Sequence, residues 1–404
     1  MNLTSFAIND GYADAILRGL RASFISETQY NQMKTSSNLQ DLKSHLEETD
    51  YCAYLQNDQT ELSIPLLRSK LKKKLADEFE YIYCQSVGSL SQFIRLVQHR
   101  YMIDNVVNMI EGIKNKVSNE DLLAATDPLG FFPEMTQIKV LDQDDYTGLY
   151  KDVLIDTPVG SYFMKFLEQS MGALSENKTM NDVQNLFKEM KPEHMRTSLK
   201  KVKFFFKKNQ YILKLLNQMW LEDFYYFCTT ELNAESQEIL GDLLNFEADM
   251  KAVQVVYNTI GHKDISSAAK IGTTRKQLCP AMGYLYPDCQ KNLLNSMTLD
   301  ALKEAIKGTE NYREIIKDAP DPAKREEQNF ATTLDDLMYD AEVKKYSLAF
   351  DQAGQYAVFY AYLKLKEQEI RNVVWLAEMI TRNLPKNSLG WKKIVVPFSH
   401  LLNV

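Results

Sequence analysis

The sequence is poor in glycine and proline, with 15 Gly and 11 Pro spread over 404 residues. Sheet-rich proteins with many tight turns use both residues repeatedly, because Gly adopts positive φ and Pro fixes φ at turn positions. Convincing runs in which apolar and polar residues alternate are also missing, and such alternation is the sign of half-buried strands. We therefore expect an all-α protein.

Motifs of common enzyme sites are missing too: there is no Gly-x-Gly-x-x-Gly after a strand, no Gly-x-Ser-x-Gly and no His-Glu-x-x-His. The five histidines and five cysteines are scattered, and the cysteine pattern fits reduced thiols in the cytosol. GALSENKT at 172–179 imitates a phosphate-binding loop, but Asn177 stands where a second glycine is needed for backbone N–H groups to approach phosphate. We expect no catalytic, cofactor or metal site.

Long apolar runs are lacking as well. No stretch approaches the ~18 apolar residues of a membrane span, and the N-terminus lacks the basic-then-apolar pattern of a signal peptide. The formal net charge is −7, whereas nucleic-acid binding needs a basic face. The basic segment SLKKVKFFFKKNQ at 198–210 fits an amphipathic surface helix better than a lipid or nucleic-acid contact. We expect no nucleic-acid partner, and contact with membrane only through partner proteins.

Helical periodicity, by contrast, recurs along the chain. The loop DPLGFFPE at 127–134, with two prolines and a glycine, interrupts it. The predicted helices are Tyr12–Ala22, Leu39–Glu47, Ile64–Tyr83, Leu90–Ile113, Asp145–Leu154, Pro158–Gln169, Tyr211–Cys228, Ile239–Ile260, Thr298–Ile306, Leu334–Phe350 and Tyr356–Ile380.

The last of these segments, YAVFYAYLKLKEQEIRNVVWLAEMI, is apolar at both ends and charged in the middle. We expect its two ends to bury in two cores and its charged waist, KLKEQEIR, to meet water or a polar partner. Glu367 and Arg371 are spaced as a favourable i,i+4 ion pair, worth about 0.2–0.5 kcal/mol.

An internal similarity accompanies this pattern. YMIDNVVNMIEGI (Tyr101–Ile113) resembles EIRNVVWLAEMI (Glu369–Ile380), most closely at DNVV and RNVV, and FEADMKAVQVVYNTI (Phe246–Ile260) is a looser third copy. Each follows an aromatic-rich stretch. The similarity predicts three pseudo-repeated helical lobes, and the alternative is coincidence among amphipathic helices.

Eight strings that occur in order carry a family resemblance. They are NDGYADAILRGLRA, YMIDNV, DPLGFF, LIDTP, FYYFC, LNFEAD, YLYP and YLKLKEQEIRNVVWLAEMI. Together they resemble subunit d of the eukaryotic V-type proton ATPase, over most of residues 6–380.

The resemblance implies a funnel-shaped body of three helical lobes that share long helices. It also implies a non-catalytic subunit on the cytosolic face of the proteolipid ring of c-type subunits. There it would couple the central stalk, subunits D and F, to the ring for ATP-driven proton transport and organelle acidification, and contribute to assembly. Subunit a is a further candidate partner.

The location implied is the cytosolic face of vacuolar, lysosomal or endosomal membranes, as a peripheral protein. Two alternatives stay open at this point. One is a helical scaffold or adaptor that has diverged from the pump, and the other is an enzyme with an unrecognised site.

Four residues of the final helix are candidate partner contacts: Glu367, Arg371, Trp375 and Glu378. Trp375 is a large amphipathic side chain of the type enriched at binding hot spots, and Glu378 is the lone acid of an apolar stretch. The alternatives are that Trp375 fills the core and that Glu378 pairs with Arg382.

Two regions depart from the family pattern. Residues 171–208 look like an insertion within a helical domain that spans 1–380, and 381–404 form a divergent tail, broken by Pro385, Gly390 and Pro397. Because the tail differs from the family pattern, the C-terminal contacts that the resemblance implies are not expected to carry over unchanged.

Overall fold

The computed structural model describes residues 3–56, 62–115, 117–137, 157–171, 209–260, 275–276, 278–322, 333–384 and 389–399. Within these ranges all regular elements are helices and no strand occurs, which confirms the all-α prediction. The predicted helix Asp145–Leu154, the segment 172–179 and, but for Met171, the predicted insertion lie outside the described residues.

The α-helices bear numbers in chain order. They are α1 Leu3–Asn9, α2 Gly11–Leu20, α3 Glu27–Met33, α4 Leu39–Glu47, α5 Cys52–Leu55, α6 Ile64–Cys84, α7 Gly88–Lys114, α8 Asn119–Ala124, α9 Gly160–Met171, α10 Asn209–Thr230, α11 Ala234–Thr259, α12 Gln290–Asn295, α13 Leu299–Ala305, α14 Glu310–Lys317, α15 Leu334–Leu348 and α16 Ala357–Thr381.

Short polar side chains start many of these helices, because their oxygens accept the free N–H groups of the first turn. Ser26 and Thr333 form full capping boxes with Gln29 and Asp336. Single caps come from Asn38, Ser63, Ser118 and Thr298. The predicted loop at 127–134 is more ordered than expected, since it contains the 3₁₀ helix Pro128–Gly130 and the start of another, Pro133–Gln137.

The chain divides into two compact units. The larger unit combines Met1–Ile94 with Phe224–Val404, and the smaller unit is Arg95–Asp223. Its boundaries fall inside α7 and α10. The three-lobe funnel therefore stays a prediction.

The larger unit is organised around α16, which packs against α2, α4, α6, α11 and α15. Most side chains of α16 are buried. The buried side chains at its first end are Phe359, Tyr360 and Leu363, together with Tyr356 just before the helix, and those at its other end are Ile370, Val373, Ala377 and Ile380. A further core cluster gathers the second half of α11 with residues of α12–α15. Apolar burial at both ends of α16 agrees with the sequence pattern.

The charged waist of α16 meets water only in part, since Lys364, Glu367 and Arg371 are half-buried, and its two other charged residues meet polar partners inside the protein. Lys366 is 1% exposed, and Glu369 is fully buried. The two side chains pair with each other at 2.8 Å, and elements distant in the sequence supply their other partners. Burial of charge is tolerated there because each group has a counter-charge or a hydrogen bond.

The predicted ion pair between Glu367 and Arg371 is wrong. Among the described residues, the ion pairs do not include these two side chains. Arg371 instead places its guanidinium over the ring of Tyr339, 3.1 Å from the ring centre. An aromatic face attracts a cation electrostatically, and α15 brings this ring to Arg371.

Candidate partner-binding face

One stripe of α16 is only half-buried. Its members are Lys364, Glu367, Arg371, Val374, Trp375 and Glu378. Their spacing keeps them on one side of a helix with 3.6 residues per turn. All four candidate contact residues lie in this stripe, which we call the α16 face.

The C-terminal tail covers the Trp375 end of the α16 face. The indole Nε1 of Trp375 donates to the carbonyl oxygen of Gly390 at 2.8 Å. Lys393 lies with Nζ 5.4 Å from the Trp375 ring centre, and the same ammonium pairs with Asp336 of α15 at 3.0 Å. Trp375 is thus a half-buried contact between helix and tail.

Glu378 lies at the end of the α16 face and pairs with Arg382 at 3.7 Å. Both side chains are substantially exposed, 36% and 62%, so solvent screens the pair and its contribution to stability is small. This is the i,i+4 pairing named as the alternative for Glu378. It leaves both charges accessible.

Behind the α16 face, Glu369 joins α16 to segments near the start of the chain. One carboxylate oxygen accepts the backbone N–H of Ile25 at 2.6 Å. The other accepts the Tyr51 hydroxyl at 2.7 Å and the Lys366 ammonium at 2.8 Å. Burial and the nearby carboxylate raise the pKa of Tyr51 well above its usual value, so its hydroxyl stays a donor. Sequence periodicity gives no sign of this site, since its partners come from three separate segments.

Glu247 of α11 forms a second buried junction with α16. It accepts the Tyr360 hydroxyl at 2.6 Å and the Lys364 ammonium at 3.2 Å. Lys251, one turn later in α11, pairs with the same carboxylate at 2.9 Å. The Tyr346 hydroxyl of α15 donates to it as well, at 3.4 Å. Two cations and two hydroxyls therefore compensate one buried carboxylate and tie α11 to α15 and α16.

Two tyrosines at the N-terminal end of α16 also form hydrogen bonds to acidic residues of other segments. Tyr362 donates to Glu78 of α6 at 2.8 Å, and Glu78 also pairs with Lys74. Tyr356, at the start of α16, donates to Asp10 between α1 and α2 at 2.6 Å. A helix held by hydrogen bonds to α6, α11 and the N-terminal segment resists sliding against any one of them, because packed interiors deform little.

Asp249 fixes a loop in the same manner, and links two of the strings that carry the resemblance. Its carboxylate accepts the backbone N–H groups of Tyr284 and Leu285 at 2.8 and 3.2 Å and the Tyr312 hydroxyl at 2.8 Å. Gly283 has φ +115°, and a Cβ there would overlap the Asp249 carboxylate. LNFEAD and YLYP therefore meet at a buried structural contact.

Asp249 also makes a testable contribution to the pH dependence of stability. Burial raises its pKa to about 6, although its three hydrogen bonds oppose the shift. The folded state then binds this proton more tightly than the unfolded state, whose Asp pKa is about 3.9. The contribution is present at low pH and lost as pH rises towards 6.

We expect wild type to lose about 1 kcal/mol of unfolding free energy relative to Asp249→Asn between pH 5 and pH 7. Chemical denaturation of both proteins across this range measures the difference. A difference that does not change with pH would contradict an elevated pKa at Asp249, while a constant offset from the altered hydrogen bonds would not matter.

The described residues contain no cluster of three or more His, Cys, Asp or Glu side chains arranged to hold a metal ion. None of the described helices combines the length and apolar character needed to cross a bilayer.

Comparison with known proteins identifies the family. The sequence model of the ATP synthase (C/AC39) subunit family matches residues 13–391. V-type proton ATPase subunit d of Dictyostelium discoideum is 32% identical over 382 residues, which cover 95% of this chain and 94% of that protein.

Two further relatives agree. V-type proton ATPase subunit d1 of Arabidopsis thaliana is 32% identical over 94% of both chains. Subunit d of Saccharomyces cerevisiae is 30% identical over 94% of this chain and 95% of its own. The chain therefore belongs to the ATP synthase (C/AC39) subunit family, among the d subunits of V-type proton ATPases, which are non-catalytic members of that complex.

Proposed function

We propose that this chain sits on the cytosolic face of the proteolipid ring of a V-type proton ATPase and couples the central stalk to it. The ring of c-type subunits and stalk subunits D and F are the proposed partners, with subunit a as a further one. ATP hydrolysis takes place elsewhere in the complex, and this subunit passes rotation to the ring and contributes to assembly. The membranes are vacuolar, lysosomal or endosomal.

The observation that supports this role best is the way α16 is fastened. A coupler must turn as one piece, and α16 joins the N-terminal segment, α6, α11, α15 and the tail through buried or half-buried contacts. Buried polar groups that have their partners, as Glu369 and Glu247 do, favour one arrangement of packed elements over alternatives. A slack body would absorb rotation instead of transmitting it.

Co-purification tests the proposal. The tagged chain is recovered from detergent-solubilised membranes, and its partners are identified and quantified by mass spectrometry. Ring and stalk subunits at near-stoichiometric levels support the coupling role. Their absence, with other proteins recovered instead, favours the diverged adaptor.

Trp375→Ala is expected to impair assembly or coupling. The change removes the hydrogen bond to Gly390 and the aromatic surface beneath Lys393, and Trp at a binding hot spot is worth about 2 kcal/mol or more. Holoenzyme yield and ATP-driven proton pumping in isolated vesicles measure the effect.

Trp391→Ala is the matched control for Trp375→Ala. Trp391 is an indole of the tail, 9% exposed and next to Gly390, so its loss disturbs the tail while the Trp375 side chain itself is unchanged. Equal defects in both variants would assign the effect to tail docking alone. Normal yield and pumping in Trp375→Ala would count against the partner-contact role.

A further inference from the structure

In the smaller unit, a buried asparagine of α7 holds the loop that follows the helix. Asn105 is 1% exposed. Its Nδ2 donates to the carbonyl oxygen of Asp127 at 2.9 Å, and its Oδ1 accepts the backbone N–H of the same residue at 2.7 Å. The 3₁₀ helix Pro128–Gly130 follows directly, and Phe132 is buried just beyond it. One side chain thus satisfies both backbone groups of the residue at which the loop turns.

In the larger unit, a buried asparagine of α16 holds the tail in the same way. Asn372 is 2% exposed. Its Nδ2 donates to the carbonyl oxygen of Val395 at 2.7 Å, and its Oδ1 accepts the N–H of Val395 at 3.4 Å. Gln368, one turn earlier, donates to the same Oδ1 at 2.9 Å. The amide is thereby oriented with its donor towards the tail carbonyl.

These two asparagines occupy the same place in the two most similar segments of the chain, Asn105 in DNVV and Asn372 in RNVV. Their backbone partners lie 22 and 23 residues downstream. Each downstream segment buries an aromatic ring a few residues beyond the contact, Phe132 in one and Phe398 in the other. Each also contains a 3₁₀ helix, which follows Asp127 in the loop and precedes Val395 in the tail. Chance similarity between amphipathic helices gives no reason for the same two-bond contact at the same position.

The third, looser segment makes a related contact with different chemistry. Asp249 accepts N–H groups of two successive residues and donates to no carbonyl. The close equivalence is therefore confined to the two segments that share the Asn-Val-Val string.

We propose that Asn105 and Asn372 are equivalent positioning residues of an internal repeat, and that the divergent tail 389–399 is the counterpart of the loop 127–132. The tail is then an integral, docked part of the body despite its unrelated sequence. Through Asn372 it places Gly390 and Lys393 against Trp375 and so shapes the α16 face. The functional part of this inference rests on the coupling role proposed above.

The chemistry explains why asparagine occupies both positions. Its short amide offers a donor and an acceptor in one plane, which match the C=O and N–H of a single residue. An ionised aspartate keeps the acceptor but faces the carbonyl without a donor, whereas a protonated one has both. Alanine removes both bonds and leaves two backbone groups without this partner.

Hydrogen exchange of the full-length chain tests whether each asparagine holds its downstream segment. We expect Asn372→Ala to speed exchange of backbone amides in 389–399 about tenfold or more, since a hydrogen bond of typical strength is lost. Asn105→Ala should do the same for 127–132 and leave 389–399 unchanged. Asn108→Ala is the matched control, because Asn108 is exposed on the same helix as Asn105.

Asn372→Asp provides a readout that general destabilisation would not produce. Protection of 389–399, corrected for intrinsic exchange, should be lost at pH 8 and recover as pH falls and the introduced carboxyl gains its proton. This variant also serves if Asn372→Ala fails to fold. Unchanged exchange in 389–399 for Asn372→Ala, or protection of Asn372→Asp that does not depend on pH, would overturn the inference.

Reconstituted holoenzyme separates this inference from the proposed function. We expect Asn372→Ala to lower the number of protons pumped per ATP hydrolysed while the chain stays in the complex. Accelerated exchange with an unchanged number of protons pumped per ATP would contradict the functional part of the inference. It would still support the contact between Asn372 and Val395. Absence of the wild-type chain from the complex would contradict the proposed function alone.

Discussion

Replacing Glu369 by alanine is expected to lower the unfolding free energy by about 3–5 kcal/mol, the usual cost of removing one member of a buried ion pair. The change leaves the Lys366 ammonium, 1% exposed, without its counter-charge. The Ile25 N–H and the Tyr51 hydroxyl lose their acceptor at the same time. Chemical denaturation followed by circular dichroism measures the loss.

Glu367→Ala is the matched control for Glu369→Ala. It removes an acid two residues away on the half-exposed α16 face, and surface charges of this kind change stability by within about 0.5 kcal/mol. A loss below about 1 kcal/mol in Glu369→Ala would mean that Lys366 finds another partner or reaches water, against the buried pair as described.

A double replacement separates pairing from packing. Lys366→Met with Glu369→Leu removes both charges and keeps an apolar side chain at each position. Replacement of a buried pair by packed apolar residues is often neutral or stabilising, so most of the stability lost in the single variant should return. A double variant as unstable as the single would assign the effect to the hydrogen bonds of Ile25 and Tyr51.

Local sequence features explain why several of the longer helices could be predicted closely, whereas α1, α3, α5, α8, α12 and α14 were not predicted. Leu39–Glu47 agrees at both ends, and the predicted Ile64–Tyr83 and Leu334–Phe350 correspond to α6 and α15 within two residues. Asn38, Ser63 and Thr333 cap these helices from the residue before the apolar periodicity begins. Such signals lie within a few residues of the element they define, so one sequence is enough to identify them.

The burial of Lys366 and Glu369 in the charged waist of α16 could not be predicted by the same reasoning. KLKEQEIR is charged on nearly every side, and a charged helix surface is normally solvated. What buries it are Ile25 and Tyr51 near the start of the chain and Glu247 of α11. Contacts over such separations leave no periodic trace, and a buried charge is recognisable only once its partners are known.

The α16 face could be predicted in part from the sequence. The spacing of Glu367, Arg371, Trp375 and Glu378 already places them on one side of a helix, and the structure agrees. The position of the tail over Trp375 could not be predicted, because Pro385, Gly390 and Pro397 indicate only that no helix continues there. Its docking depends on Asn372, whose amide has no distinguishing mark in the sequence beyond its place in the repeat.

Gly130→Ala is expected to have the second large effect, in the smaller unit. A Cβ at Gly130 would overlap the backbone of Tyr101 and Met102 in α7. Backbone atoms inside a helix cannot move aside as the end of a flexible side chain can, so the 3₁₀ helix Pro128–Gly130 must shift away from α7. Forced overpacking of this kind costs about 1–3 kcal/mol and occasionally more, and here the shift also strains the Asn105–Asp127 contact. Denaturation and hydrogen exchange of 127–132 measure the effect.

Gly19→Ala is the same chemical change, but it is expected to raise stability and not to lower it. Apart from its chain neighbours and the backbone of its own helix, no atom lies within 4 Å of a Cβ built at Gly19, and the residue lies within α2. Alanine there should stabilise the chain by about 0.5–1 kcal/mol, because glycine loses more backbone entropy in a helix. Equal destabilisation by both substitutions would refute the steric argument at Gly130. Opposite signs would establish that close approach to α7, and not glycine's flexibility, is what the DPLGFF loop requires at this position.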